Sequence, residues 1–158
     1  MGSDEMRYLL DSSVWMRSAL QGHTLPAGIR KIVGNPEEVL GLSIFSLWEA
    51  AKKHQKGKLL LPMDLAAWFQ AAVPQHVRVL PLTNDIIVES IRLPDFPVND
   101  PSDELIVATA RVHKLTLLTT DTKLKGYRHA RIQYFTPTAL PIADEMGWKM
   151  MTAGSALV

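Results

Sequence analysis

At 158 residues, 47% hydrophobic and 21% charged, the chain has the size and composition of one globular domain and not of a disordered segment. It contains no cysteine, which excludes disulfides, thiolate nucleophiles and zinc–thiolate sites and agrees with a cytoplasmic setting. With 17 basic and 16 acidic residues the net charge is +1, so any hold on a polyanion must come from a local patch or a bound metal.

No run approaches the roughly 18 apolar residues of a membrane span, and no membrane partner is expected. Residues 1–5, ahead of Met6, read as a cloning remnant; residues 6–136 are expected to form the domain and residues 137–158 a tail of little structure. Arg7–Leu10 is a short apolar strand ending in Asp11, and Ser12 or Ser13 is placed to cap a helix beginning near Val14. A second helix is expected from Pro26 to Val33, stopped by Gly34 and Asn35-Pro36. Val39–Ile44 reads as a buried strand. Ser46 and Glu49 then fit a capping box opening a helix that runs to Gly57. Pro62–Val73 predicts a helix, Val77–Leu80 a strand, and Thr83 or Asn84 the start of a helix reaching Leu93-Pro94.

Asp100-Pro101 is a helix entry, an Asx cap followed by proline where its missing N–H costs nothing. Leu105–Val112 is nearly all apolar, Lys114 is the exit, and Thr116–Thr119 is a buried strand with Asp121 just beyond it. Ile132–Phe135 predicts the last strand. Strands alternating with helices through short loops point to an α/β fold with a doubly wound parallel sheet.

Four carboxylates, Asp11, Glu49, Asp103 and Asp121, fall at strand ends or on the third residue of a helix, and all would crowd the carboxyl edge of the sheet. Like charges gathered there raise each other's pKa unless a cation holds them, and hard oxygen ligands suit Mg²⁺ or Mn²⁺. Such an ion activates water and clamps a phosphodiester. Each acid also has a plain reading. Glu49 would be the reciprocal partner of a Ser46 cap, Asp103 would complement a helix dipole, and Asp11 and Asp121 would be turn residues. Capping alone gives no reason for two helix-start acids to share an edge with two strand-end acids.

Leu9–Trp15 (LLDSSVW), Ser46–Leu59 (SLWEAAKKHQKGKL), Asp100–Ala110 (DPSDELIVATA) and Leu117–Asp121 (LLTTD) resemble, in order, the motifs of PIN-domain toxins of the VapC type. The resemblance covers nearly everything from Tyr8 to Phe135. It implies a three-layer α/β/α sandwich with a central parallel sheet and a metal-dependent ribonuclease site. Its acidic quartet would correspond to Asp11, Glu49, Asp103 and Asp121, with Ser13 and Thr119 in support. It further implies RNA as substrate, a homodimer, and inhibition by a cognate antitoxin laid into the acidic groove. Where the family often has arginine after the third acid, this chain has Glu104.

Lys52 and its neighbours Lys53, Lys56 and Lys58, and the set Lys123, Lys125, Arg128 and Arg131, would either track an RNA backbone or form ordinary solvated faces. The five histidines show no metal-ligand spacing, and Trp48, Trp68 and Phe69 read as core or subunit-contact residues. A PIN-like module that binds RNA or an antitoxin without cleaving is the first rival. An aspartate-nucleophile phosphatase built on Asp11 ranks behind it, because the second acid it wants two residues on is here Ser13.

Overall fold

The computed structural model describes residues 5–137; the expectations for the first residues and for the tail beyond 137 lie outside them. Five strands form one sheet: β1 (Met6–Leu10), β2 (Val39–Ser43), β3 (Val77–Leu80), β4 (Thr116–Thr119) and β5 (Ile132–Tyr134). Their order is β3-β2-β1-β4-β5 and every pairing is parallel. The helices are α1 (Ser12–Gln21), α2 (Ala27–Val33), α3 (Ile44–Gln55), α4 (Leu65–Ala72), α5 (Asn84–Ser90) and α6 (Pro101–His113).

Side chains alternate across a strand, and the sheet uses both faces. Leu10, Leu40, Leu42 and Leu118 point into a core with Val14, Trp15, Ile29 and Trp68 from the α1–α4 side. Their strand neighbours Leu9 and Leu117 point the other way, onto Ile106, Val107 and Ala110 of α6. That is the expected three-layer α/β/α sandwich. The Trp15 and Trp68 rings lie 5.2 Å apart, a contact worth roughly 0.5–1.5 kcal/mol beyond the area it buries. The Trp15 indole also donates to the Ala72 carbonyl at 2.8 Å, fastening α1 to α4. Gly41 leaves room for its neighbours: a Cβ there would sit 2.9 Å from Met6 Sδ and 3.1 Å from Leu80 Cδ1, and those side chains would have to shift.

The helix starts depart from the sequence reading. The cap of α1 is Asp11, whose carboxylate accepts the Ser12 N–H; neither Ser12 nor Ser13 caps it. α3 begins two residues before Ser46, capped by Ser43, whose hydroxyl accepts the Phe45 N–H at 3.0 Å. β2 therefore ends at Ser43, and Glu49 is the sixth residue of its helix, not the third. Ser46 and Glu49 keep the spacing of a capping box, but a serine at the true strand end took the cap first. α4 starts at Leu65 behind an Asp64 cap, not at Pro62. α5 ends at Ser90, short of Leu93-Pro94, with Ile91 as its cap. α6 starts at Pro101 and closes on Lys114, which takes the left-handed conformation (φ 58°) usual at a helix exit.

Candidate active site

The strand order places the crevice. From β1 the chain crosses to β2 on one side, and later returns through β4 on the other side of β1. At the carboxyl ends of β1 and β4 the two connections diverge, the place where open α/β sheets bind ligands. Asp11 follows β1 directly, its backbone N–H donating to the Leu118 carbonyl at 3.1 Å. Its Oδ1 accepts the Ser12 N–H at 2.9 Å, and its Oδ2 accepts the Thr119 hydroxyl at 2.6 Å. The same Thr119 oxygen accepts the Asp121 N–H at 3.0 Å, so one hydroxyl ties the two strand-end acids together. Asp121 Oδ1 accepts the Lys123 N–H at 2.9 Å and starts a single 3-10 turn, Thr122–Leu124.

Two helices supply the remaining acids. α3 carries Glu49, whose Oε1 accepts the Ser12 hydroxyl, and Ser12 Oγ lies 2.6 Å from Ser46 Oγ. α6 carries Asp100, which accepts the Ser102 N–H at 2.9 Å, and Asp103 on its first turn. Asp11, Glu49, Asp100, Asp103 and Asp121 are each only 5–9% exposed.

Burial and mutual repulsion act on these groups in the same direction. Burial, followed by the charges of Asp11, Asp100, Asp121 and Glu49, raises the Asp103 carboxyl to about 8. Burial raises Asp11 to about 7; the Thr119 hydroxyl offsets part of this, while Glu49 and Asp121 add to it. Glu49 is raised by burial, with the Ser102 and Ser12 hydroxyls and Lys53 pulling the other way. Lys53, one turn beyond Glu49 on α3, is itself buried; burial lowers its amine and Glu49 holds it up.

All four acids expected from the sequence thus border one crevice. Among the described residues, no three acid or histidine side chains close tightly enough to form a ready-made metal cage. The donors are nonetheless all oxygen, and the excess of buried negative charge is what a divalent cation relieves. A hard ion that keeps several of its waters, and so needs only a few carboxylates, fits a set spaced this widely.

Other residues fall differently. Ser13 is buried, but the hydroxyl that reaches a carboxylate is that of Ser12. Lys52 is half-buried on α3 near Glu49, while Lys123 and Lys125 are exposed on the far side of Asp121, Lys125 over the Tyr134 ring. Arg128 lines one recess with Lys123 and Lys125 and another with Lys114 and Arg131 at the C-terminal end of α6. Trp68 is core as expected, whereas Trp48 is 55% exposed and lies outside it. Asp100 and Ser12 are the site residues that sequence reasoning missed, and Lys53 was read only as part of a basic face and not as a partner of Glu49. Asp100 was fully accounted for as a cap, and only the fold shows it beside Glu49 and Asp103. Lys53 had a readable signal, four residues after Glu49 on one helix face.

The sequence model of the PIN domain matches residues 8–130. The chain is 29% identical to Ribonuclease VapC22 of Mycobacterium tuberculosis over 123 residues, 78% of this chain and 93% of that protein. Its fold is similar to DNA-bound VapBC from Salmonella typhimurium (TM-score 0.63, 18% identity, covering 82% of this chain and 98% of that one). It is similar also to VapBC2 from Rickettsia felis bound to a promoter DNA fragment (TM-score 0.61, 14% identity, 82% and 98%). VapC20 of M. tuberculosis, a toxin that cleaves the sarcin–ricin loop, has the same fold (TM-score 0.53, 18% identity, 78% and 98%). With the crevice, its acids and the parallel sheet in agreement, the chain belongs to the PIN-domain family.

Proposed function

We propose that this chain is a divalent-metal-dependent endoribonuclease and the toxin of a toxin–antitoxin pair, its nuclease domain spanning residues 6–136. The observation that carries the reading is the crowding of Asp11, Glu49, Asp103 and Asp121 in one buried crevice, with the charge of Lys53 offsetting part of that of Glu49. A fold does not need such a cluster, and burial makes it costly. The ribonuclease name of the 29%-identical relative and the toxin–antitoxin complexes among the fold neighbours support the same reading.

Asp11, Glu49 and Asp103 are the residues to hold Mg²⁺ or Mn²⁺, with Asp121 in support. The ion, when bound, would make a bound water acidic enough to attack and would neutralise charge on the phosphate. Thr119 holds the Asp11 carboxylate in one orientation, and Ser12 does the same for Glu49. Acids buried this deeply suit single-stranded RNA, whose unstacked strand enters a crevice more easily than a duplex. A cognate antitoxin, a homodimer and a cytoplasmic site of action go with this assignment.

The test is cleavage of a fluorogenic single-stranded RNA titrated with Mg²⁺ and Mn²⁺, for the wild-type chain and for Glu49→Gln. Metal-dependent cleavage by the wild type is expected, with a loss of at least a hundredfold in Glu49→Gln and a thermal stability within about 1 kcal/mol of wild type. Absence of cleavage at every concentration of either metal would leave the non-cleaving binding module in its place.

A further inference from the structure

A second feature adjoins the acids. The exposed side of α3 and the start of α6 enclose a groove of about 300 Å³, with Glu49, Asp100 and Ser102 at one end. Phe45, Trp48, Lys52, Lys53, Lys56 and Lys58 line the rest. Trp48 is the unusual member. It is 55% exposed, yet it does not project at random: the Phe45 ring stacks on it at 5.2 Å and 27°, and the Lys52 ammonium lies 5.8 Å from its centroid. Lys52 is in turn held by Gln55 Oε1 at 2.8 Å. The indole is therefore fixed in position before any ligand arrives, which lowers the entropy cost of using it. An exposed tryptophan held this way contributes nothing to the core.

We propose that this groove is a nucleotide subsite of the nuclease, in which Trp48 stacks a base of the RNA strand beside the scissile bond and Lys52, Lys56 and Lys58 hold its phosphates. The inference rests on the ribonuclease reading. Charge decides the occupant. With Lys53 set against Glu49, the lysines Lys52, Lys56 and Lys58 still outnumber Asp100, and a net positive lining beside an exposed indole favours a ligand with an anionic backbone and a flat apolar group, which is a description of single-stranded RNA. The lysines oppose the basic peptide that an acidic crevice would attract, and a second copy docking here would have to bury their ammonium groups. Stacking is tolerant of base identity, so the subsite would tighten binding without dictating sequence.

The experiment measures binding of a labelled single-stranded RNA octamer to the full chain by fluorescence anisotropy, in EDTA so that no strand is cut, over a range of salt. Trp48→Ala is expected to weaken binding about tenfold, from the range of base–aromatic stacking. Trp48→Phe, which keeps an aromatic face, is expected to recover most of it. Lys52→Ala and Lys56→Ala together should reduce the slope of log affinity against log salt by about 0.7 per lysine. Sedimentation of the same variants runs alongside. Unchanged affinity and slope in Trp48→Ala and the lysine variant overturn the subsite, and a shift of Trp48→Ala toward monomer with RNA binding intact assigns the groove to self-association instead. The two readings fail separately. Wild-type cleavage with Trp48-independent binding sinks only the subsite, whereas Trp48-dependent binding without cleavage at any metal concentration sinks only the nuclease.

Discussion

The two ends of α6 carry opposite charges and are built on opposite terms. At its C-terminal end Arg111 is paired with Glu89 and with the His129 carbonyl, and Arg131 donates to the Lys114 carbonyl at 3.1 Å. Cations there also suit the helix dipole. At its N-terminal end Asp100 and Asp103 suit the same dipole, but they meet Asp11, Glu49 and Asp121 across the crevice, and burial strips away the water that would screen them. A charged end that is paired adds stability. A charged end that is crowded and dry subtracts it, and that deficit marks where a cation belongs. The difference lies in what faces each end, since the helix itself favours both.

Replacing the most crowded acid gives the sharpest contrast. Asp103→Asn is expected to reduce metal-dependent cleavage of a fluorogenic RNA by at least a hundredfold while raising the thermal midpoint of the metal-free protein by several degrees at pH 8. Retained activity would remove Asp103 from the site, and a large drop in the midpoint would make it a structural residue. Next in size is the pH dependence of the metal-free protein. Asp11 and Asp103 sit near 3.8 when unfolded and at about 7 and about 8 when folded, so the folded chain holds their protons more tightly. Their contribution is full below about pH 4, is lost as pH rises through the folded values, and levels off above about pH 8. Denaturant midpoints should therefore fall from pH 5 to pH 8, and added Mg²⁺ should stabilise more at pH 8 than at pH 5. A midpoint that rises over that interval would contradict the crowding. The smallest effect is expected at the paired end. Glu89→Ala, which leaves Arg111 without its carboxylate, should cost about 1 kcal/mol in urea unfolding and leave cleavage unchanged.

Much of this was legible in the residues. Short apolar runs located all five strands, and the central ones are nearly continuous because a strand buried on both faces has few other compositions open to it. Asp100-Pro101 located the start of α6 to the residue, since a cap followed by proline has a local cause. The start of α3 was misplaced for a related reason. Ser43 and Ser46 are both competent caps, and the choice between them depended on where β2 stopped pairing with β1 and β3. That correction strengthens the functional reading of Glu49: on the second turn it has no capping duty to explain it.

The amino-acid order by itself determined the alternation of strands and helices, the carboxylates at the strand ends, and the absence of thiol chemistry, because periodicity, capping and composition act over a few residues. Only the tertiary structure decided which of those carboxylates share a crevice, that Asp100 and Lys53 join them, that Ser12 and not Ser13 reaches Glu49, and that Trp48 faces solvent beside Glu49. These are relations between α3, α6 and two strand ends far apart in the chain, and they are set by the order in which parallel strands pack side by side, which no local pattern encodes.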